Sequence, residues 1–341
     1  METGRHARFW RTGESRKHKL SFFRIFARMK IYVQLSLPDS AKQALRDGLQ
    51  PDETVEFGLD LPQSKRFVAF QDADIVFGNV PPEWLAQADR LRFIQLYSAG
   101  INEYLPLDWS TPPLSNVVMA NLRGFFGQPV AESAVAGLVA LFRKMNELAV
   151  LQSRQEWVGG KLRPAMRLLH RQRALVLGAG AIGRQIERIL GGYECEVTVI
   201  SRSQPPTLAD LDELLPQADI VLAALPETEE TVGIFTQKRI GSMKSTAVFV
   251  NVGRGSAVDE PALIEALTAN RLAGAVLDVT AEEPLPADSP LWHLPNVLLT
   301  QHTAGGYADE QADKVPVFLR NLRRFRAGEA VENRVDFGKG Y

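Results

Sequence analysis

Three glycines spaced as Gly178, Gly180 and Gly183 close a short apolar run, Ala174-Leu175-Val176-Leu177. They open a segment with Ile182, Ile186, Ile189 and Leu190 on one helical face. Strand, glycine turn and helix together are the context in which this spacing holds a dinucleotide. Gly178 permits the tight turn, Gly180 lets a pyrophosphate approach the main chain, and Gly183 lets the helix lie close to the strand. Ala181 and Ile182 begin that helix, whose unpaired N–H groups and partial positive charge suit phosphate.

The next strand, Val197-Thr198-Val199-Ile200, ends at Ser201-Arg202-Ser203. An NAD-preferring site needs an acid at this tip to accept from the ribose 2′-hydroxyl. Glu194 and Glu196 lie at the opposite end of the strand, so no carboxylate is placed for it. Arg202 between two hydroxyls suits a 2′-phosphate through charge-assisted hydrogen bonds. NADP is therefore the expected cofactor, with NAD as the alternative. Of the five histidines, His302 follows a predicted strand at the end where open α/β sheets build their sites. An imidazole is the side chain best suited to give up a proton near neutral pH. His6, His18, His170 and His293 read as structural.

The elements that must position these groups alternate along the chain. Strands are predicted at 30–34, 74–77, 93–96 and 117–120, with helices at 40–49 and 81–88 among them. A long apolar helix follows from Pro129 to about Leu148. A second set of strands falls at 174–177, 197–200, 220–224, 248–251, 275–278 and 297–300, largely separated by helices such as 260–272. A last helix spans 307–326. Such alternation implies parallel sheets covered on both faces. At 341 residues, two domains are expected. These are a Rossmann dinucleotide-binding domain over 121–302 and a discontinuous, flavodoxin-like substrate domain over 30–120 and 303–335, both doubly wound and parallel.

Composition narrows the function. Eight of the 39 basic residues but two of the 40 acids fall in the first 28 positions, leaving 31 basic against 38 acidic residues beyond them. An acidic body argues against nucleic acid as a partner. Residues 1–28 read as a disordered basic extension upstream of a start at Met29, or else as a targeting segment or basic tail. The single cysteine, Cys195, fits a reducing, cytoplasmic location. No apolar run is long enough for a bilayer, and no closely spaced His and Cys suggest a metal.

Four blocks complete the reading: Asn251-Val252-Gly253-Arg254-Gly255; Leu277-Asp278-Val279-Thr280-Ala281-Glu282-Glu283-Pro284-Leu285-Pro286; Leu291-Trp292 with Pro295-Asn296-Val297; and Thr300-Gln301-His302-Thr303-Ala304-Gly305-Gly306. In order and spacing they resemble the D-isomer-specific 2-hydroxyacid dehydrogenases, nearest the glyoxylate/hydroxypyruvate reductase branch, from about residue 30 to Gly340-Tyr341. Gln301 departs from the family, which usually has proline before the histidine, and loosens that turn. The resemblance implies an NAD(P)-dependent reductase of a small 2-oxo acid, and a homodimer. His302 would be the general acid, Glu283 its carboxylate partner (Glu282 being the adjacent rival), and Arg254 the cation for the substrate carboxylate. Asp278 would sit at the nicotinamide end, and Leu225, Pro226 and Val252 would complete the cofactor site. The Ser98-Ala99-Gly100 loop after Tyr97 would offer backbone N–H groups to the carboxylate. Two other classes share this pattern: a dinucleotide-sensing binding protein of the corepressor type, and a formate- or alanine-type dehydrogenase.

Overall fold

A computed structural model describes residues 29–338; the basic segment 1–28 and Gly340-Tyr341 lie outside the described residues. The chain divides into two compact units, one from residues up to Asn121 together with those from Gln311, the other from Leu122 to Glu310.

The first unit starts with β1 (Lys30–Gln34), α1 (Asp39–Asp47), β2 (Thr54–Phe57), α2 (Gln63–Gln71), β3 (Ile75–Gly78), α3 (Pro82–Leu85), β4 (Phe93–Gln95) and β5 (Val118–Ala120). The strands are parallel and ordered β2-β1-β3-β4-β5, the flavodoxin-like order. Alternate residues separate to the two faces: Ile31, Val33, Ile75 and Phe77 join one core, Tyr32, Val76 and Ile94 the other. Strand β2 and helix α2 are not in the sequence reading. In β2 only Phe57 is buried, as befits an edge strand, so its pattern is faint. The helix expected over 81–88 is a single turn. Beyond Leu85 the bonds run to the third preceding residue, as in Ala88 N to Leu85 O and Leu91 N to Ala88 O, and the chain turns Leu91 into the core.

In the second unit, α4 (Gly127–Phe142) and α5 (Met145–Ser153) replace the one long helix expected from Pro129. Lys144 takes a left-handed φ of 57°, and the Phe142 carbonyl accepts from Arg167 N, so the helix ends there. There follow β6 (Arg173–Leu177), α6 (Ala181–Gly191), β7 (Glu196–Ile200), α7 (Leu211–Leu214), β8 (Ile220–Ala223), α8 (Gln237–Ser242), β9 (Val248–Asn251), α9 (Glu260–Thr268), β10 (Gly274–Leu277) and β11 (Val297–Leu299). Their order, β11-β10-β9-β8-β6-β7, is wholly parallel and reverses direction between β6 and β8. Strands β8, β9 and β10 are buried at every position, which explains their unbroken apolar runs. Helices α4 and α6 cover one face through Val130, Leu138, Ile186 and Leu190; α7, α8 and α9 cover the other through Leu211, Ile240 and Leu263. Each such side chain contributes about 1.5–3 kcal/mol on burial.

The last helix, α10 (Glu310–Arg326), starts three residues later than expected and returns to the first unit, laying Phe318 and Leu322 on its sheet. Residues 303–310, assigned above to the returning segment, belong instead to the second unit. Ala304 is buried in that unit's core, and its carbonyl accepts from Ser133 Oγ at 3.1 Å.

Candidate active site

Strands β10 and β11 run side by side with Leu277 opposite Leu299, so the turns at their carboxyl ends meet. Asp278 is buried there, and its Oδ1 accepts from Thr300 Oγ1 at 2.7 Å, Thr303 N at 2.9 Å and Ala304 N at 3.0 Å. Its main-chain carbonyl accepts from His302 N at 2.6 Å. Gln301 and His302 both take left-handed φ values, 54° and 55°. A proline, locked near −65°, could not take that path. The turn delivers His302 Nδ1 to 2.7 Å from Glu283 Oε2, while Glu283 Oε1 accepts from Thr280 N at 3.1 Å. With the carboxylate as acceptor, Nδ1–H is the donor of this pair, and Nε2 lies outside it. Glu282 contributes its main-chain carbonyl, to Thr280 Oγ1 at 2.7 Å. The His302–Glu283 pair borders a cavity of about 480 Å³ walled by Leu285 and Trp292.

On the next strand, Asn251 is buried and closes the turn after β9: its Nδ2 donates to Arg254 O at 2.9 Å and its Oδ1 accepts from Gly253 N at 3.1 Å. A Cβ at Gly253 would lie 2.6 Å from Leu225 O, and one at Gly255 1.8 Å from Thr280 O. The turn is therefore wedged between those after β8 and β10. Arg254 is half-buried, with Nη1 donating to Gly253 O at 2.7 Å. Leu225-Pro226, Val252, Arg254, Asp278 and His302 thus follow successive neighbouring strands on one edge of one sheet.

Gly178 turns at φ 114°, and its missing Cβ clears Ala224 O, which would otherwise lie at 2.6 Å. A Cβ at Gly183 would lie 1.8 Å from Gly178 O, whereas one at Gly180 meets no protein atom within 4 Å. Gly180 caps α6 without any side-chain bond to the first turn. An open Cβ position beside uncapped N–H groups is the cradle a pyrophosphate needs, so the residues fit a dinucleotide. At the tip of β7, Ser201 Oγ bonds Gln204 O and N within its own turn, at 2.6 and 2.9 Å. Arg202 lies beside Glu230, with Nε to Oε2 at 3.4 Å; Ser203 is exposed. Glu194 and Glu196 pair with Arg171 and Arg173 at the far end of the strand.

Residues 135–304 match the model of the NAD binding domain of D-isomer specific 2-hydroxyacid dehydrogenases. A glyoxylate/hydroxypyruvate reductase B of Pectobacterium carotovorum subsp. carotovorum is 31% identical over 269 residues, 76% of this chain and 83% of that protein. The crystal structure of a D-isomer specific 2-hydroxyacid dehydrogenase family protein from Aeromonas salmonicida subsp. salmonicida is 30% identical. It superposes with a TM-score of 0.78, covering 91% of this chain and 99% of that one. The chain belongs to the D-isomer specific 2-hydroxyacid dehydrogenase family. It is accordingly an oxidoreductase with an NAD(P)-binding domain, and the likeness extends to the glyoxylate/hydroxypyruvate reductase branch. A family member from Xanthobacter autotrophicus, crystallised with NADPH and MES, is 27% identical with a TM-score of 0.74, covering 92% of this chain and 99% of its own.

In this dehydrogenase the first unit carries its own ordered loop. Asn79 Oδ1 accepts from Tyr97 N at 3.1 Å and Asn79 Nδ2 donates to Ser98 Oγ at 3.1 Å. Ser98 Oγ donates to Gly100 O at 2.8 Å, and Asn121 Nδ2 to Ala99 O at 2.8 Å. Tyr104, just beyond, is fully buried with its hydroxyl donating to Val80 O at 2.9 Å; burial pushes the phenol well above its ordinary pKa. Lys314 is buried with its ammonium 5.3 Å from the Tyr97 ring centroid, a cation–π distance. Asn121, Asn251, Glu230 and Lys314 are not among the candidate site residues read from sequence. Asn251 was within reach, standing in the Asn251–Gly255 block just after an apolar strand, where a short amide often closes a turn.

Proposed function

We propose that this protein reduces a small 2-oxo acid of the glyoxylate/hydroxypyruvate type to its D-2-hydroxy acid, preferring NADPH. The contact that carries the reading is His302 Nδ1 to Glu283 Oε2 at 2.7 Å, on the sheet edge that holds the glycine turn and Arg254. A reduced nicotinamide, when bound, supplies the hydride. The chain's own groups do the rest. Glu283 holds the ring with Nδ1 turned inward, so that protonated His302 presents Nε2–H to the oxygen that becomes an alkoxide. The Arg254 guanidinium grips the carboxylate as a fork and polarises the adjacent carbonyl. Asp278 fixes the His302 turn through Oδ1, leaving Oδ2 outside those three bonds for the carboxamide end of the cofactor. The family resemblance also assigns the N–H groups of Ser98, Ala99 and Gly100, in the first unit, to carboxylate binding.

NADPH preference is supported by Arg202 between Ser201 and Ser203, a β7 tip whose own three residues include no acid. A homodimeric, cytoplasmic enzyme belongs to the same reading; sedimentation of the full chain checks the dimer. The decisive experiment compares kcat/KM for glyoxylate, hydroxypyruvate, pyruvate and phenylpyruvate with NADPH and NADH, in wild type and in Ser201→Asp/Arg202→Ala. Turnover of glyoxylate or hydroxypyruvate with NADPH favoured, and that preference lost in the double variant, is expected. Absence of turnover with every 2-oxo acid would return the chain to the binding-protein class; a wild type favouring NADH would remove Arg202 from cofactor choice.

A further inference from the structure

The turn that faces Arg202 is built more rigidly than an exposed loop requires. Thr231 is buried, its hydroxyl donates to Pro226 O at 2.7 Å, and it accepts from Thr228 N at 2.9 Å. Glu230 immediately precedes this anchor, so its carboxylate is presented from a fixed backbone. It meets Arg202 twice, Nε to Oε2 at 3.4 Å and Nη2 to Oε1 at 3.5 Å. Both side chains border a cavity of about 630 Å³ that also contains Arg239. Arg239 is committed elsewhere, to Asp212 Oδ1 at 2.6 Å and to Ile234 O at 3.0 Å. The Arg202–Glu230 pair is long and exposed, at 64% and 57% of the side-chain surface, and so is readily exchanged for a stronger anion.

We infer that Glu230 is a specificity-determining residue that occupies Arg202 in place of a 2′-phosphate and thereby holds down the preference for NADPH. The inference rests on the reading of Arg202 as the 2′-phosphate ligand. A phosphate carrying about −1.5 to −2 charges outcompetes one carboxylate for a guanidinium. The displaced Glu230, kept nearby by its rigid turn, still opposes the incoming anion. A non-phosphorylated ribose meets neither effect, so Glu230 narrows the gap between the two cofactors.

Calorimetric titration of 2′,5′-ADP and of 5′-AMP, which differ only by the 2′-phosphate, into the full-length protein tests this without turnover. Glu230→Gln should tighten 2′,5′-ADP about 2- to 5-fold, the range of an exposed charge pair, and leave 5′-AMP unchanged. The gain should shrink in an Arg202→Ala background. Equal gains for both nucleotides, no gain for 2′,5′-ADP, or a gain undiminished without Arg202 would each overturn the role of Glu230. If wild type binds 2′,5′-ADP no better than 5′-AMP, and Arg202→Ala changes neither, the reading of Arg202 falls and the inference with it. If wild type favours 2′,5′-ADP through Arg202 but Glu230→Gln has no effect, only the inference falls.

Discussion

The general-acid role proposed for His302 requires one ring nitrogen to give up a proton and the other to be engaged so that the ring's direction is fixed. Glu283 meets both needs with one oxygen on Nδ1 and the other on Thr280 N. Replacing His302 by alanine should lower kcat about 10²–10⁴-fold, the usual contribution of a general acid, while 2′,5′-ADP binds as in wild type. Turnover near wild type in the folded variant would take His302 out of the reaction. Individual residues were legible in sequence where chemistry restricts the choice of side chain, as with the histidine past the sixth strand. The preference for Glu283 over Glu282 rests on the family resemblance, in which the acid directly precedes the proline, here Pro284; Glu283 is the one that contacts His302. Glu230, Lys314 and Asn121 were not legible. Each is an ordinary polar residue whose meaning comes from a partner far away in sequence, such as Arg202, 28 positions from Glu230.

Helix α6 tests how one element divides its glycines between folding and binding. Gly183→Ala drives a Cβ to 1.8 Å from Gly178 O, a backbone atom that cannot move without disturbing the β6–α6 turn. It should cost about 1–3 kcal/mol or more, read as a lowered urea midpoint. Gly180→Ala meets no protein atom within 4 Å and starts from φ −76°, which alanine takes freely. It should melt like wild type and yet bind NADPH at least roughly tenfold more weakly, a loss of about 1.4 kcal/mol. Equal effects of the two substitutions on the melt would contradict this division. Elements were legible in proportion to burial. The strands β8, β9 and β10, covered on both faces, stand out as apolar runs. The edge strand β2 does not, and the break after Phe142 depends on a left-handed Lys144 that no apolar pattern marks.

At the scale of the molecule, each unit builds its cores from its own residues: Val130 to Ala304 in the second, Met29 to Val335 in the first. The second unit is one uninterrupted stretch, so a polypeptide of residues 122–310 should fold alone and melt cooperatively. It should bind 2′,5′-ADP within about tenfold of the intact protein. A broad, non-cooperative melt would show that it needs the first unit. The return of the chain after β11 was legible in sequence; its starting point was not, because it turns on the burial of Ala304. The placement of α10 has a further consequence, for translation. Phe318 stacks on Phe77, and Asn321 Nδ2 donates to the buried Gln95, 226 positions earlier. Between β5 and α10 the ribosome must add roughly 190 residues, about 10–40 s of elongation at ~5–20 residues per second. Throughout that interval the nascent β1–β5 segment lacks one of the helices that cover one face, α1 being already made, while the whole second unit emerges behind it and has time to fold. The domain begun first is therefore finished last.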